Sequence, residues 1–335
     1  MFFFLFHNRH NMFYKNPKSK TQNPFRKIYD NPKFIDVLKN RKKPAKFPFL
    51  VDVELTNHCN LSCLFCGQQT MAREKGFMAV RTFKKVADEC AKYKMPIRLI
   101  RWGEPTLHPE FLNFINYAKN KGLLIHMTTN GLLLNKQKIK KLIDLPLDSL
   151  VFSFQGATKK EYQIMRDNEQ YDHLKKNILD FIELRGEKKK PYLHISCTVT
   201  SEPKKQINNF IKYWGNIADS VGVGKTNLSR FTLAQIKKFK NIGKFQEIKK
   251  QETIKKVYKP CKEVYQKLSV DWDGKVSACC GDYDQYLTVG DISKQSLKEV
   301  WNKNEKLKAI RTLLDKGCFR CLTLCSTCFH AYEDF

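Results

Sequence analysis

Three cysteines at positions 59, 63 and 66, in the stretch CNLSCLFC, are well suited to bind a metal. Thiolates are soft ligands for zinc and for the iron of iron–sulfur clusters, and sites of both kinds commonly use four ligands. The spacing C-x3-C-x2-C therefore predicts either a metal with a distant fourth ligand or a cluster with one open iron. The triplet alone leaves both possibilities open.

Most of the other cysteines lie close together late in the chain, and two stand apart. The late set is Cys261, Cys279, Cys280, Cys318, Cys321, Cys325 and Cys328. Twelve cysteines in a chain that we place in the cytoplasm indicate metal binding rather than disulfides. Cys90 continues an apolar helical stripe and Cys197 shares an apolar strand face, so we expect both to be core thiols. On thiolate count alone, the late set fits zinc and iron–sulfur equally well.

Six strand-and-helix units precede the late cysteines and must position the early ones. The apolar strand segments are FLVDVEL, IRLIRW, LLIHMTT, SLVFSF, YLHISCTVT and DSVGVG. The helical segments are 82–94, 109–120, 136–143, 159–165, 171–185 and 203–215. This alternation predicts an α/β fold of parallel strands with crossover helices, arranged as an open doubly wound sheet or as an incomplete barrel.

The unusual motifs favour the barrel. CNLSCLFC follows the first strand, RWGEP the second, TTNG the third and SFQG the fourth. Barrel enzymes carry their chemistry at the carboxyl ends of the strands, so we predict a partial (β/α)6 barrel of the TIM type. His194, Ser196, Thr198 and Thr200 give the fifth strand one polar face, which fits a lined cavity or an edge strand; we favour the cavity.

The C-terminal part differs in character from the barrel. LSVDWDGKVSAC predicts two short strands around an Asp-Gly turn, followed by helices and cysteines. We therefore divide the chain into a basic N-terminal extension (1–48), a core (49–230), a basic helical linker (231–258) and a small cysteine-rich β-hairpin/helix domain (259–335). We expect the extension to be poorly ordered or to wrap the surface.

The net charge of +28 suggests an anionic partner, yet lysines spread along the whole chain greatly outnumber arginines. Recognition of phosphate or guanine favours arginine, so a solvated basic surface explains the charge better than nucleic-acid binding. The opening MFFFLFH is too short to cross a membrane and lacks the features of a signal peptide. We therefore expect a cytoplasmic protein with no transmembrane segment.

Taken together, these motifs resemble those of the radical S-adenosylmethionine (radical SAM) enzymes that carry a C-terminal SPASM or twitch domain. The resemblance spans roughly residues 50–330. It rests on CNLSCLFC, on WGEP, on TTNG, on SFQG with MR downstream, and on the late cysteines. It implies that Cys59, Cys63 and Cys66 hold a [4Fe-4S] cluster whose fourth iron binds S-adenosylmethionine (AdoMet).

The resemblance also implies which side chains contact AdoMet. Phe65 matches the position set against the adenine, and Gly103 and Glu104 match the motif that meets the AdoMet amino group. Thr129 and Asn130 match a strand end that reaches the cavity. Ser153 matches a contact to the ribose or the methionyl group, and Arg166 matches the partner of the AdoMet carboxylate. Two positions depart from the family pattern. Trp102 stands where Gly is usual, so its ring must turn outward or narrow the site, and Gln155 stands where Asp is commoner.

The late cysteines resemble the SPASM pattern and imply at least one auxiliary [4Fe-4S] cluster. The minimal ligand set is Cys261, Cys279, Cys325 and Cys328. Cys280, Cys318 and Cys321 then remain for a second cluster with an open or oxygen-ligated iron, and the number of clusters stays open. All seven are treated as metal ligands.

The activity that the resemblance implies is reductive cleavage of AdoMet, giving a 5′-deoxyadenosyl radical that abstracts hydrogen from an unactivated C–H bond. We expect an oxidoreductase-like enzyme acting on a small sugar- or cyclitol-type substrate, by oxidation or epimerisation. Modification of a peptide or protein is the alternative, and a zinc-binding structural or RNA-binding protein is a more distant one. A flavodoxin or ferredoxin is the expected electron donor. The sequence singles out no catalytic acid or base.

Overall fold

The computed structural model describes residues 12–40, 44–226, 261–326 and 328. Strands and helices alternate through the core, as the apolar periods predict. The strands are β1 (Met12–Lys15), β2 (Leu50–Val53), β3 (Ile97–Leu99), β4 (Ile125–Thr129), β5 (Ser149–Gln155), β6 (Tyr192–Val199), β7 (Ser220–Lys225), β8 (Lys267–Val270), β9 (Lys275–Ser277) and β10 (Thr288–Asp291).

Two helices lie in the N-terminal segment, α1 (Arg26–Tyr29) and α2 (Pro32–Asn40). The helices of the core begin and end within a few residues of the predicted bounds: α3 (Val80–Lys92), α4 (Phe111–Asn120), α5 (Lys136–Asp144), α6 (Lys159–Arg166), α7 (Tyr171–Arg185) and α8 (Lys204–Gly215). The C-terminal part adds α9 (Leu297–Lys303), α10 (Glu305–Asp315) and α11 (Thr323–Ser326). On α3 the apolar stripe is buried and includes Cys90, which confirms that this thiol belongs to the core.

The strands form one sheet in the order β1-β7-β6-β5-β4-β3-β2-β8-β9-β10. β2 to β7 pair in parallel with their sequence neighbours, for example Val51 with Ile97 and Ile97 with Ile125. Because the order has two ends, the barrel is open rather than closed. This arrangement confirms the predicted partial (β/α)6 barrel.

The polar face of the fifth predicted strand, β6, lies inside the sheet, because β6 pairs with β5 on one side and β7 on the other. The edge-strand alternative is therefore wrong. The face does not border the main cavity, however. His194 is buried and its ring stacks on Phe13 of β1 at 6.1 Å, so part of this face packs against the N-terminal segment.

The N-terminal segment 12–40 is folded onto the barrel. β1 pairs antiparallel with β7, Phe25 is fully buried against His126 at 5.6 Å between ring centroids, and Arg98 donates to the Tyr29 hydroxyl at 3.1 Å. Of the two behaviours expected for the extension, wrapping is the one that these residues show. Residues 1–11 and 41–43 lie outside the described residues.

The C-terminal part continues the barrel sheet. β8 pairs in parallel with β2, and β9 turns back on β8 through the predicted Asp-Gly turn, where Gly274 has a φ of +85°. The turn therefore uses the left-handed backbone conformation that glycine adopts without strain. The predicted linker 231–258 lies outside the described residues, so the division into four segments stays a prediction.

Within the described ranges, no helix combines the length and apolarity needed to cross a membrane.

Candidate active site

Four motifs meet at the carboxyl edge of the barrel. The cysteine loop follows β2, RWGEP follows β3, TTNG ends β4, and SFQG ends β5. These strands are parallel neighbours, so their carboxyl ends lie side by side. The topology brings residues that are up to a hundred positions apart in sequence to one edge.

An open cavity lies at this edge. All seven side chains predicted to contact AdoMet line it, together with two of the early cysteines and four other residues. The lining residues are Cys63, Phe65, Cys66, Ile100, Arg101, Trp102, Gly103, Glu104, Thr128, Thr129, Asn130, Ser153 and Arg166. The structure therefore brings the predicted set together, while the roles of its members toward AdoMet stay predictions.

The three early thiols lie close enough to influence one another electrostatically. Burial raises the pKa of Cys59 to about 12, with smaller contributions from Glu104 and Cys63. Burial likewise raises the pKa of Cys66 to about 12, reinforced by Cys63 and opposed by Arg166. Thiolate ligands must lose these protons, so inserting a cluster here releases protons as it binds. Cys59 borders the cavity wall, with its sulfur 4.0 Å from Asn130 Nδ2.

Three soft thiols beside one cavity suit a [4Fe-4S] cluster that leaves one iron open toward the cavity. In the part of the chain that the structure describes, no group of three or more His, Cys, Asp or Glu side chains is placed to bind a single metal ion. The lining of the same cavity supplies a carboxylate, Glu104, and a guanidinium, Arg166. These charges complement the ammonium and the carboxylate of an amino acid, which is the end of AdoMet that would reach the open iron.

The Glu104 side chain joins two loops of the site. Its Oε1 accepts hydrogen bonds from the Thr106 backbone at 3.1 Å, the Thr106 hydroxyl at 2.6 Å and the Thr129 hydroxyl at 2.7 Å, while Oε2 accepts from the Asn130 backbone at 2.7 Å. Burial raises the pKa of this carboxyl, and the hydrogen bonds oppose that shift. Glu104 therefore fixes the ends of β3 and β4 relative to each other.

Replacing Glu104 with Gln is expected to weaken AdoMet binding about tenfold. The Gln amide would turn an N–H group toward donors of Thr106, Thr129 or Asn130 and leave them without an acceptor. An unpaired buried donor costs about 1–3 kcal/mol. A cost of about 1.4 kcal/mol corresponds to a tenfold loss of affinity. Anaerobic equilibrium dialysis with labelled AdoMet measures the change. Glu110→Gln, a carboxylate on the next helix that accepts from Asn113, is the control and should bind normally. Equal affinity for Glu104→Gln and the wild type would contradict this role.

Trp102 lines the cavity and also contacts the C-terminal part. Its Nε1 donates to the Asp282 carbonyl at 3.1 Å, and its ring meets Tyr283 edge-on at 5.5 Å. Both expectations for this ring, turning outward and narrowing the site, stay predictions. Gln155 is buried away from the lining and donates to the Thr226 hydroxyl at 2.5 Å, so it does not take the place of a cavity Asp.

Arg101 also lines the cavity, although the sequence motifs did not predict a role for it. It pairs with Asp271 at 2.5 Å and donates to the carbonyls of Cys279 and Asp282, both at 3.0 Å. Its position inside RWGEP was the available signal. Because Cys279 is a predicted auxiliary ligand, Arg101 connects the wall of the cavity directly to the second cysteine set.

The late cysteines lie on the loops around β9 and α10. Cys279 and Cys280 follow β9, Cys318 precedes a short 3-10 helix that Cys321 ends, and Cys325 lies on α11. The pKa of Cys261 is raised first by burial, then by Glu263, Cys328 and Cys325, so these thiols lie near one another. Three members of the predicted minimal ligand set are thereby close, and the number of clusters stays open.

An open parallel barrel with a three-thiol loop at its carboxyl edge and a second, cysteine-rich unit defines an iron–sulfur enzyme class. Comparison with family models agrees: residues 53–213 match the radical SAM superfamily, and residues 261–329 match the SPASM iron–sulfur cluster-binding domain. The chain belongs to the radical SAM enzymes with a SPASM domain. Its cofactors are accordingly AdoMet, the [4Fe-4S] cluster that binds it, and auxiliary iron–sulfur centres.

Two relatives illustrate what the chain is similar to. The tungsten-containing aldehyde ferredoxin oxidoreductase cofactor-modifying protein of Pyrococcus furiosus is 25% identical, over 82% of this chain and 86% of its own length. The mycofactocin maturase MftC of Mycobacterium tuberculosis is 27% identical over 37% of this chain, and the match covers 32% of the maturase.

Solved structures show the same fold. Streptococcus suis SuiB bound to the precursor peptide SuiA superposes with a TM-score of 0.63 at 17% identity, covering 87% of this chain and 72% of SuiB. BtrN in complex with AdoMet and 2-DOIA gives a TM-score of 0.52 at 16% identity, covering 84% of this chain and 93% of BtrN. At these identities the likeness concerns the fold alone.

Proposed function

We propose that this chain is a peptide- or protein-modifying radical SAM enzyme. The observation that carries the AdoMet chemistry is the convergence of Cys63, Cys66 and seven predicted AdoMet contacts on one cavity at the barrel edge. With the cluster and AdoMet bound, the site would supply a 5′-deoxyadenosyl radical, which takes a hydrogen atom from a C–H bond of the substrate. The chain's own residues bind and orient AdoMet and exclude water.

Each lining group has a role in this proposal. Glu104 faces the ammonium and Arg166 the carboxylate of AdoMet, because each is a buried charge of the opposite sign. Phe65 offers a ring for stacking the adenine. Gly103 lets the loop after β3 approach the cysteine loop, and Asn130 fixes that loop by donating to the Asn60 side chain at 2.8 Å.

The comparisons support a peptide substrate more than the small sugar-type substrate that the sequence suggested. SuiB, which was solved with a precursor peptide, superposes on most of this chain, and MftC is named a maturase. BtrN supports the small-substrate alternative, with a lower TM-score. We accordingly place peptide or protein modification first and the sugar or cyclitol substrate second.

An auxiliary iron–sulfur cluster held by the late cysteines would supply an acceptor for one electron, which would suit a net oxidation of the substrate. Cys261, Cys279, Cys325 and Cys328 are its ligands in the minimal set. Arg101 supports this arrangement because it holds the carbonyl of Cys279 while lining the AdoMet cavity. A flavodoxin or ferredoxin supplies the electron to the first cluster, and the basic surface suits an acidic donor of this kind.

The test uses the anaerobically reconstituted full chain with AdoMet and dithionite. We expect 5′-deoxyadenosine formation to rise when a low-molecular-weight extract of the source cells is added, and this stimulation to disappear when the extract is first digested with a protease that is then inhibited. A parallel digestion with heat-killed protease is the control. Stimulation that survives digestion would instead assign a small-molecule substrate and overturn the peptide proposal.

A further inference from the structure

Arg166 is placed to act on the cluster as well as on AdoMet. It ends α6, is 5% exposed, and its Nη1 donates a hydrogen bond to the sulfur of Cys63 at 3.3 Å. The other terminal nitrogen, Nη2, donates to the carbonyl and the hydroxyl of Ser153, at 2.6 and 2.7 Å. One guanidinium thus bridges a predicted cluster ligand and the carboxyl end of β5.

The guanidinium is held firmly in this position. Ser153 supplies two acceptors from a strand that is buried along its whole length, and the Phe65 ring lies 5.7 Å from the guanidinium carbon. Because the planar guanidinium is already held by two Ser153 acceptors on a rigid strand, it loses little conformational freedom when it also bonds to the Cys63 sulfur. The contact to Cys63 is therefore built into the fold rather than made by a loose surface side chain.

One side-chain donor of Arg166 makes no hydrogen bond within the described residues. Its Nε is buried and has no hydrogen-bond partner among the described residues, although the side chain lines the AdoMet cavity. An unpaired buried donor is costly, so a ligand that supplies an acceptor would be favoured there. The proposed AdoMet carboxylate is such an acceptor, and it would share the guanidinium with Cys63.

A cation that donates a hydrogen bond to a ligand sulfur stabilises the reduced, more negative cluster, because hydrogen bonds to sulfur and local charge set iron–sulfur potentials. We propose that Arg166 raises the reduction potential of the AdoMet-binding cluster through its bond to Cys63. The redox step is the addition of one electron from the titrant to the cluster, with no bond made or broken. The inference rests on the assignment of Cys63 as a ligand of that cluster.

A second consequence is that AdoMet binding and cluster reduction are coupled at one side chain. Any carboxylate that engages Arg166 changes the hydrogen bond received by Cys63, and by thermodynamic linkage the redox state of the cluster must change the affinity for that carboxylate by the same factor. Removing the guanidinium should therefore reduce the difference in potential that AdoMet produces.

The experiment is a redox titration of the reconstituted full chain, followed by paramagnetic resonance with and without AdoMet. The signal that changes shape on AdoMet addition identifies the three-cysteine cluster. For Arg166→Gln we expect the equilibrium constant for its reduction by a fixed donor to fall about tenfold, which is about 59 mV for one electron. Arg166→Lys keeps the charge and should recover part of the loss.

Two further variants separate tuning from a general structural effect. Ser153→Ala removes one anchor of Arg166 and should shift the potential in the same direction by less. Arg185→Lys changes another buried arginine, which ends α7 and pairs with Asp219, and should leave the potential unchanged. A wild-type potential in Arg166→Gln, or an equal shift in Arg185→Lys, would overturn the inference. No substrate is needed, so failure of the peptide proposal would leave this result intact.

Discussion

Replacing Cys63 with Ala is expected to abolish 5′-deoxyadenosine formation completely. Cys63 lines the cavity and receives the hydrogen bond from Arg166, so its replacement removes one of the three proposed cluster thiols beside the AdoMet site. With two of three thiolates left, the cluster would lack the ligands that hold it while one iron stays open. Loss should be total rather than partial, because the chemistry resides in the cofactors.

The measurement is anaerobic iron and sulfide analysis beside chromatography of AdoMet products. Cys63→Ala should lose about four irons per chain, the content of one [4Fe-4S] cluster, and keep the auxiliary iron. Cys90→Ala is the matched control, because Cys90 is a fully buried thiol on α3 that belongs to neither cysteine set. If Cys63→Ala still formed 5′-deoxyadenosine at the rate of Cys90→Ala, the assignment of the early cysteines would be wrong.

The positions of the site residues could be predicted because they depend on the order of the strands in the sheet more than on individual side-chain contacts. Once the alternation of strands and helices indicates parallel neighbours, every motif that follows a strand must lie at the same edge. Glu104 and Ser153 are 49 positions apart in the sequence, yet β3, β4 and β5 are adjacent in the sheet and bring both to one cavity. No side-chain contact had to be known for that inference.

Contacts made across long sequence separations could not be predicted in the same way. Phe25 and Tyr29 sit in a basic segment with no apolar period, and their partners His126 and Arg98 are interior polar residues about seventy or more positions away. A segment without periodicity gives no local evidence of burial. The packing of the polar face of β6 could not be predicted for the same reason, since its neighbour Phe13 comes from the distant N-terminal segment.

The contacts by which Arg101 links the two cysteine sets also could not be predicted from the sequence. Arg101 carries a charge next to an aromatic residue in a loop motif, and nothing local indicates that its partner is Asp271, 170 positions later. The pairing of β8 with β2 places Asp271 there. Sequence motifs identified both metal-binding units, whereas their physical connection depends on how the C-terminal strand joins the barrel.

Replacing Gly103 with Ala is expected to remove AdoMet binding and to destabilise the barrel edge. An added Cβ would lie 2.0 Å from the carbonyl oxygen of Thr56 and 2.7 Å from that of His58. Both atoms are backbone atoms of the segment that leads into Cys59, so no side chain can rotate away. The loop after β3 must instead move from the cysteine loop, which breaks the 2.9 Å hydrogen bond from the Glu104 backbone to the His58 carbonyl.

Thermal unfolding and anaerobic AdoMet dialysis together test this expectation. Overpacking of this kind typically costs about 1–3 kcal/mol, and because it displaces Glu104 we expect AdoMet affinity to fall by at least about tenfold. Gly122→Ala is the control: an added Cβ there meets nothing within 4 Å, but the φ of +75° makes alanine unfavourable by roughly 1–2 kcal/mol. That variant should lose stability and keep AdoMet binding. If Gly103→Ala also lost stability and kept AdoMet binding, close approach of the two loops would not be what shapes the site.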